Sequence, residues 1–226
     1  MNILAIDSAN EILSLALAAG KGIWYLEIDQ GPRHSELMME CIDVLCKKAD
    51  LPPKDLNLVA CMKGPGSFTG LRIGFSTAKG LSVATGAPLV SIPTLDCLAY
   101  RLSMWPGIVI PAIDSKKGCF FTALYYNGKC LTSYLDITPE DIVSEIGNTR
   151  PEKPLPVLLT GPGAALLKSR IETLFSPELI RLDPGYRTGS ARELLEISRN
   201  VIIIQNNENY NGPLYIRKSD AELNIG

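Results

Sequence analysis

Three groups of residues in this 226-residue chain have the types and spacing to do chemistry. The first is KGPGSFTGLRIGFSTAKG, residues 63–80, which has the glycine content of a phosphate loop running into a helix. Neither phosphate template fits it. A P-loop sets Gly-Lys-Ser/Thr five positions after its first glycine; here Thr69 stands five after Gly64 and Leu71 five after Gly66. The dinucleotide pattern G-x-G-x-x-G also fails, because Gly64 and Gly66 are followed by Gly70, one residue late. The second group is a pair of acids closing apolar runs, Asp7 in NILAID and Asp114 in IVIPAID. In a phosphotransferase such a pair holds a metal–nucleotide complex or orients a water. Alternatively each acid hydrogen-bonds its own turn, as Asp commonly does. Both readings are open. The third is His34, which stands alone: with no other histidine, a His-based metal site or catalytic triad has one candidate residue. A peptidase needs an activated nucleophile or a metal-bound water, and no set of residues assembles either.

Composition narrows the classes further. The chain is 46% hydrophobic and 20% charged, with a formal net charge of -2. That balance gives no electrostatic footprint for nucleic acid or an anionic membrane, so binding charge for any RNA must come from a partner. No run approaches the ~20 apolar residues of a membrane span. The opening MNILAID has no basic region and is not a signal peptide, which makes a cytoplasmic location the expectation. The six cysteines contain no C-x-x-C pair, and most lie in apolar runs such as LVACM, so they are expected to be reduced, buried and structural.

These residues must be positioned by elements that the hydrophobic pattern predicts. NILAID reads as a strand buried on both faces. ILSLALA and GIWYLEI follow as a hairpin across AGKG. A helix over 35–49 carries the stripe Met38, Cys41, Ile42, Leu45 and Ala49, with Ser35 as a plausible N-cap. Then come the strand LNLVACM, a helix over 68–85, the strand PLVSI and a helix near TLDCLAYRLSM. After Pro106-Gly107 the order restarts with IVIPAID, a hairpin about Asn127-Gly128, the helix TPEDIVSEI, the strand LPVLLT, a loop and helix from GPGAALLKSRIETLF, and the helix SARELLEISRNVIII. AIDS recurs at 5–8 and 112–115, and GPG at 64–66 and 161–163, at equivalent places in the two orders. The architecture is therefore expected to be duplicated α/β: halves at 1–105 and 106–226, each a mixed sheet flanked by helices, with a cleft between them.

That repeated order resembles the actin, hexokinase and Hsp70-like (RNase H-like) ATPase superfamily. The resemblance implies a nucleotide cleft at Asp7, Ser8, Asp114, Ser115, Gly161 and Gly163, the last two falling where the superfamily contacts adenosine. It would be a degenerate cleft with at most weak nucleotide binding and no other cofactor, because DSANE lacks the phosphate-turn glycine and DSKKG has only Gly118. More narrowly, ILAIDSAN, HSELMM, KGPGSFTGLRIGFSTAKGLS, DSKKGCFFTALY and GPLYIRKSDAE, in this order, are similar to the bacterial TsaB (YeaZ) family. That resemblance implies an accessory subunit of the machinery making threonylcarbamoyladenosine in tRNA. Its implied partners are a catalytic paralogue, TsaD, and a small TsaE-like ATPase, with tRNA reached through the complex. The paralogue carries a metal-binding His-x-x-x-His on the helix matching HSELMMEC; here Met38 stands four residues after His34. A thioether is a poor ligand for hard or borderline metals, so no metal is expected.

The glycines of residues 63–80 then call for another reading. Inside a helix, Gly74 and Gly80 each cost about 1 kcal/mol relative to Ala. Positions 70, 74, 78, 82 and 86 are Gly, Gly, Ala, Ser and Gly, an i+4 row that lets a second helix approach closely. The row packs against the chain's own sheet, or against a partner, or inward at one end and outward at the other. The expected partner surface comprises His34, Leu37, Met38, Cys41 and Ile42 on the first helix and Gly70, Gly74 and Ala78 on the second. It would bind the TsaD-like subunit and permit a homodimer when the chain is alone. The reading is thus a non-catalytic subunit, with an ATP-dependent transferase or kinase, and more remotely a peptidase, as alternatives.

Overall fold

The computed structural model describes residues 1–31, 33–149, 155–204 and 216, and only the backbone of 201–204. Apart from Ile216, the late stretch GPLYIRKSDAE lies outside the described residues. The chain divides into two compact units. The first holds Met1–Cys97 with the described residues 188–204; the second holds Leu98–Arg187 with Ile216.

In the first unit, β1 (Ile3–Asp7), β2 (Leu13–Ala19), β3 (Gly22–Ile28), β4 (Leu58–Gly64) and β5 (Leu89–Pro93) form one sheet in the order β3-β2-β1-β4-β5. β1 runs antiparallel to β2 and parallel to β4, which is why β1 and β2 read as continuous apolar runs: both are buried along their whole length. Alternate residues serve opposite faces. Leu4 and Ile6 pack under α1 (His34–Lys48) and α2 (Phe68–Thr85), while Ile3 and Ala5 meet Leu194 and Leu195 of α6 (Ala191–Ile204). The last helix, expected in the second half, therefore packs on the first sheet. α1 begins at His34 after Arg33, without a side-chain cap, so Ser35 is not the N-cap. α2 starts where Ser67 accepts a hydrogen bond from the Gly70 amide and stops at Gly86, in the left-handed conformation. α3 (Thr94–Tyr100) is shorter than its apolar pattern suggested.

The second unit repeats the plan. β6 (Ile108–Lys116) is central, antiparallel to β7 (Cys119–Thr122) and parallel to β11 (Val157–Thr160). With β10 (Leu135–Ile137) and β12 (Ile180–Leu182) the order is β10-β7-β6-β11-β12, position for position the order of the first sheet. β8 (Tyr125–Tyr126) and β9 (Lys129–Cys130) form the extra hairpin about Asn127-Gly128, both at positive φ. α4 (Pro139–Asn148) and α5 (Ala164–Ile171) cover one face through Ile142, Ile146, Leu167 and Ile171. This is the duplicated RNase H-like topology of the actin and Hsp70 superfamily. Among the described residues no helix is long and apolar enough to cross a membrane. Four cysteines are buried, but Cys119 is half-buried and Cys130 exposed, because the short β8–β9 hairpin leaves the latter in solvent.

Candidate functional site

The glycine-rich stretch folds against the end of β1. Gly64 closes β4, Gly64-Pro65 is a cis peptide, and the Ser67 amide donates to the Ala9 carbonyl at 2.7 Å. A methyl group on Gly70 would run into the Ser8 carbonyl, and one on Gly74 into the Ser8 hydroxyl. That hydroxyl donates to the Gly70 carbonyl at 2.8 Å. Gly70, Gly74 and Ala78 are all buried, so the row read as a partner groove is occupied by this chain's own Ser8 turn and Ile6. The first helix needs the same correction: Met38, Cys41 and Ile42 lie in the core beneath the helix, His34 is buried, and Leu37 is half-buried. The physical reason is common to both helices. An apolar or small-residue stripe on a helix that covers a sheet faces that sheet first.

The solvent-facing row of α2 is instead Phe68, Arg72, Ser76, Gly80 and Ala84, all exposed. It lies two residues, about 200°, round the helix from the expected row. Gly80 has no atom of this chain within 4 Å of where a Cβ would sit. Beside it Val83 is 73% exposed. On α1, which packs against α2 over the same sheet face, Met39 (55%) and Val44 (40%) also point to solvent. Gly80 thus has a helix-propensity cost with nothing in the described residues to offset it.

The two acids are each satisfied within their own unit. Asp7 is 1% exposed and accepts from the Ala9 amide at 3.1 Å, the Ser14 hydroxyl at 3.3 Å and the Ser190 amide at 2.8 Å. Ser14 Oγ in turn accepts from the Ala191 amide at 3.1 Å. Asp7 and Ser14 therefore cap the start of α6, a role that orphan helix amides invite. Burial pushes the Asp7 carboxyl above its ordinary range, against the lowering effect of the Ser190, Ala9 and Ser14 hydrogen bonds and of the His34 charge. Next to this network the Tyr25 hydroxyl bonds Glu27, whose carboxylate accepts from the Gly189 amide at 2.9 Å. The His34 ring nitrogen Nε2 donates to the Glu11 carbonyl at 3.1 Å, which ties the start of α1 to the loop after β1.

In the second unit Asp114 closes on its own turn, accepting from the Lys116 amide at 2.8 Å and Nζ at 3.1 Å. Ser115 donates to Asp136. Gly161 and Gly163 lie against the β6 backbone at Ala112 and Asp114, with the Gly163 amide donating to the Ala112 carbonyl at 2.8 Å. Asp183, a buried acid the sequence pattern did not single out, accepts from Arg101, from Thr160 Oγ1 at 2.7 Å and from the Gly185 amide at 3.0 Å. Such a network holds strand ends together.

Asp7 and Ser8 do not fit a metal–nucleotide complex. Asp7 has neither an open face nor a spare donor set; the Ser8 hydroxyl and the space beside Gly70 and Gly74 are taken by each other. The glycines of the second GPG approach backbone, not an open phosphate cradle. Among the described residues no cluster of three or more His, Cys, Asp or Glu side chains could hold a metal ion. What the first unit presents to solvent is a two-helix face.

Comparison with known proteins agrees with the topology and refines it. A family model described as TsaD: tRNA N6-adenosine threonylcarbamoyltransferase matches residues 29–180. A Bacillus subtilis protein named tRNA threonylcarbamoyladenosine biosynthesis protein TsaB is 32% identical over 177 residues, 76% of either chain. The Escherichia coli protein of the same name is 34% identical over 128 residues, 55% of either chain. YeaZ from Pseudomonas aeruginosa superposes with a TM-score of 0.80 at 21% identity, covering 95% of this chain and 99% of that one, a likeness that speaks for the fold alone.

Proposed function

Because this chain belongs to the TsaB (YeaZ) family, we propose that it is a non-catalytic subunit of the tRNA threonylcarbamoyladenosine machinery. It docks onto a TsaD-like threonylcarbamoyltransferase through the outer faces of α1 and α2 and activates it. A TsaE-like ATPase joins the assembly, tRNA is reached through the complex, and the work is done in the cytoplasm.

The observation that carries this reading is Gly80, in mid-helix with open space above it and the exposed Val83 beside it. A glycine there leaves a shallow groove between side-chain ridges, into which a partner helix can settle close to the backbone. Met39 and Val44 extend the apolar surface onto α1, and methionine adapts its shape to what it meets. The closed state of Asp7 supports an accessory role, since an acid already capping α6 cannot also hold a metal–phosphate complex. The same face serves a homodimer when the transferase is absent.

The experiment is reconstitution with the cognate transferase. The two chains are expected to co-elute, and threonylcarbamoylation of tRNA is expected to depend on both. Separate elution, or transfer activity in this chain alone, would overturn the proposal.

A further inference from the structure

α2 is an 18-residue helix without a single acidic side chain; its charged residues are Arg72 and Lys79. Several surface cations elsewhere find carboxylates close by along their own helices: Arg33 with Glu36, Lys47 with Asp43, Lys168 with Glu172, Arg199 with Glu196. Arg72 does not. No carboxylate among the described residues pairs with it, although it is exposed on the outward row with Gly80. It also sits near the N-terminal end of α2, where the helix dipole disfavours a cation.

Its guanidinium is nevertheless held. It lies over the Phe68 ring, 3.7 Å from the ring centre, and Phe68 is itself 43% exposed. Stacking restrains one face of the guanidinium and leaves the N–H groups of its edge directed into solvent, where their fork matches a carboxylate. On the neighbouring α1, Glu40 is exposed without an ion pair among the described residues. The two helices thus offer a fixed cation and an unpaired anion on the surface assigned above to docking.

We propose that Arg72, stacked on Phe68, is a charge anchor that takes a carboxylate of the partner subunit, an inference that rests on the docking reading. A protein carboxylate is the better ligand than an RNA phosphate. Glu40 on the neighbouring helix has no ion pair among the described residues, and the chain carries a net charge of -2, both of which disfavour a polyanion. The anchor also gives selectivity, because a surface offering a cation to Arg72 is rejected by like charge.

The test measures affinity for the cognate transferase subunit at low and high salt, with Arg72→Ala, Arg72→Lys and, as a docking control, Gly80→Leu. Arg72→Ala is expected to bind at least tenfold more weakly and with a shallower salt dependence, since a lost interfacial charge shows in both. Arg72→Lys is expected to fall between, keeping the charge and losing the fork. Melting should change little, as Arg72 makes no ion pair among the described residues and loses only its exposed stacking on Phe68; were Arg72→Ala to fold poorly, Arg72→Gln carries the same readings. Wild-type affinity in Arg72→Ala with binding lost in Gly80→Leu overturns the anchor and leaves docking intact. Unchanged affinity in both removes docking and the anchor together. Weaker binding with an unaltered salt slope means Arg72 packs without meeting a carboxylate, which also overturns the proposal. So does Arg72→Ala weakening cross-linking to tRNA while leaving subunit affinity alone.

Discussion

Replacing Gly80 with alanine separates the two uses a helix makes of its small residues. The added methyl would meet no atom of this chain within 4 Å. Within the isolated protein the change is therefore one of helix propensity alone, a gain of about 1 kcal/mol. For a chain of this size that corresponds to a rise of about 2–4 °C in the melting midpoint. At a close helix–helix contact the same methyl overpacks the groove, typically at about 1–3 kcal/mol, which weakens the partner about fivefold to 150-fold. The control is Gly70→Ala on the same helix, where the methyl would collide with the Ser8 backbone carbonyl. There the shift must be taken by the end of β1, and a loss of about 1–3 kcal/mol is expected. Differential scanning calorimetry of each variant and titration with the transferase subunit read both quantities. A Gly80→Ala protein that melts higher and binds the partner as well as wild type would refute the assignment of this row to the interface. One that melts lower would show that Gly80 is packed internally.

Asp7→Ala should destabilise the protein by about 2–4 kcal/mol, because the Ser190 and Ala9 amides and the Ser14 hydroxyl lose their acceptor inside the fold; urea unfolding measures it, and hydrogen exchange should place the loss at the first turn of α6. The raised Asp7 carboxyl also predicts a pH signature. In that state the folded protein takes up the proton before the unfolded chain does, so this group's contribution is full below its ordinary 3.8 and is lost as pH rises through the folded value. The stability difference between wild type and Asp7→Asn should therefore shift in favour of wild type as pH falls through that window, and a pH-independent difference would count against it. Finally, the isolated chain should show no ATP turnover above background; steady hydrolysis that disappears in Asp114→Ala would revive a nucleotide-using role for the second unit.

How far the sequence revealed these features depended on whether the interactions were local. The hairpin about Gly20-Lys21, the bounds of α2 and the Asp114 turn are each built from residues within a few positions of one another, and composition suffices to find them. The outward face of α2 was not legible in the same way. Its small-residue row looked like a groove from either side, and only the position of the Ser8 turn decides which side is filled. Besides the nearby Ala9 and Ser14, Asp7 has a partner 183 residues away, and no spacing rule could connect that acid to Ser190. β12 was missed because three residues, Ile180–Leu182, carry too little pattern to distinguish a strand from a loop.

The capping of α6 by Asp7 has a consequence for how the protein is made. Leu194 and Leu195 cover the sheet face formed by Ile3, Ala5, Ala16, Leu58, Ala60 and Met62. Those two leucines leave the ribosome long after the strands they cover. Roughly a hundred residues separate Cys97 from that helix, and at about 5–20 residues per second the apolar face waits about 5–20 s for its cover. During that interval the first unit carries a bare hydrophobic wall and a buried-to-be carboxylate with no helix to cap. The native state of that unit is thus unavailable to any product truncated before α6.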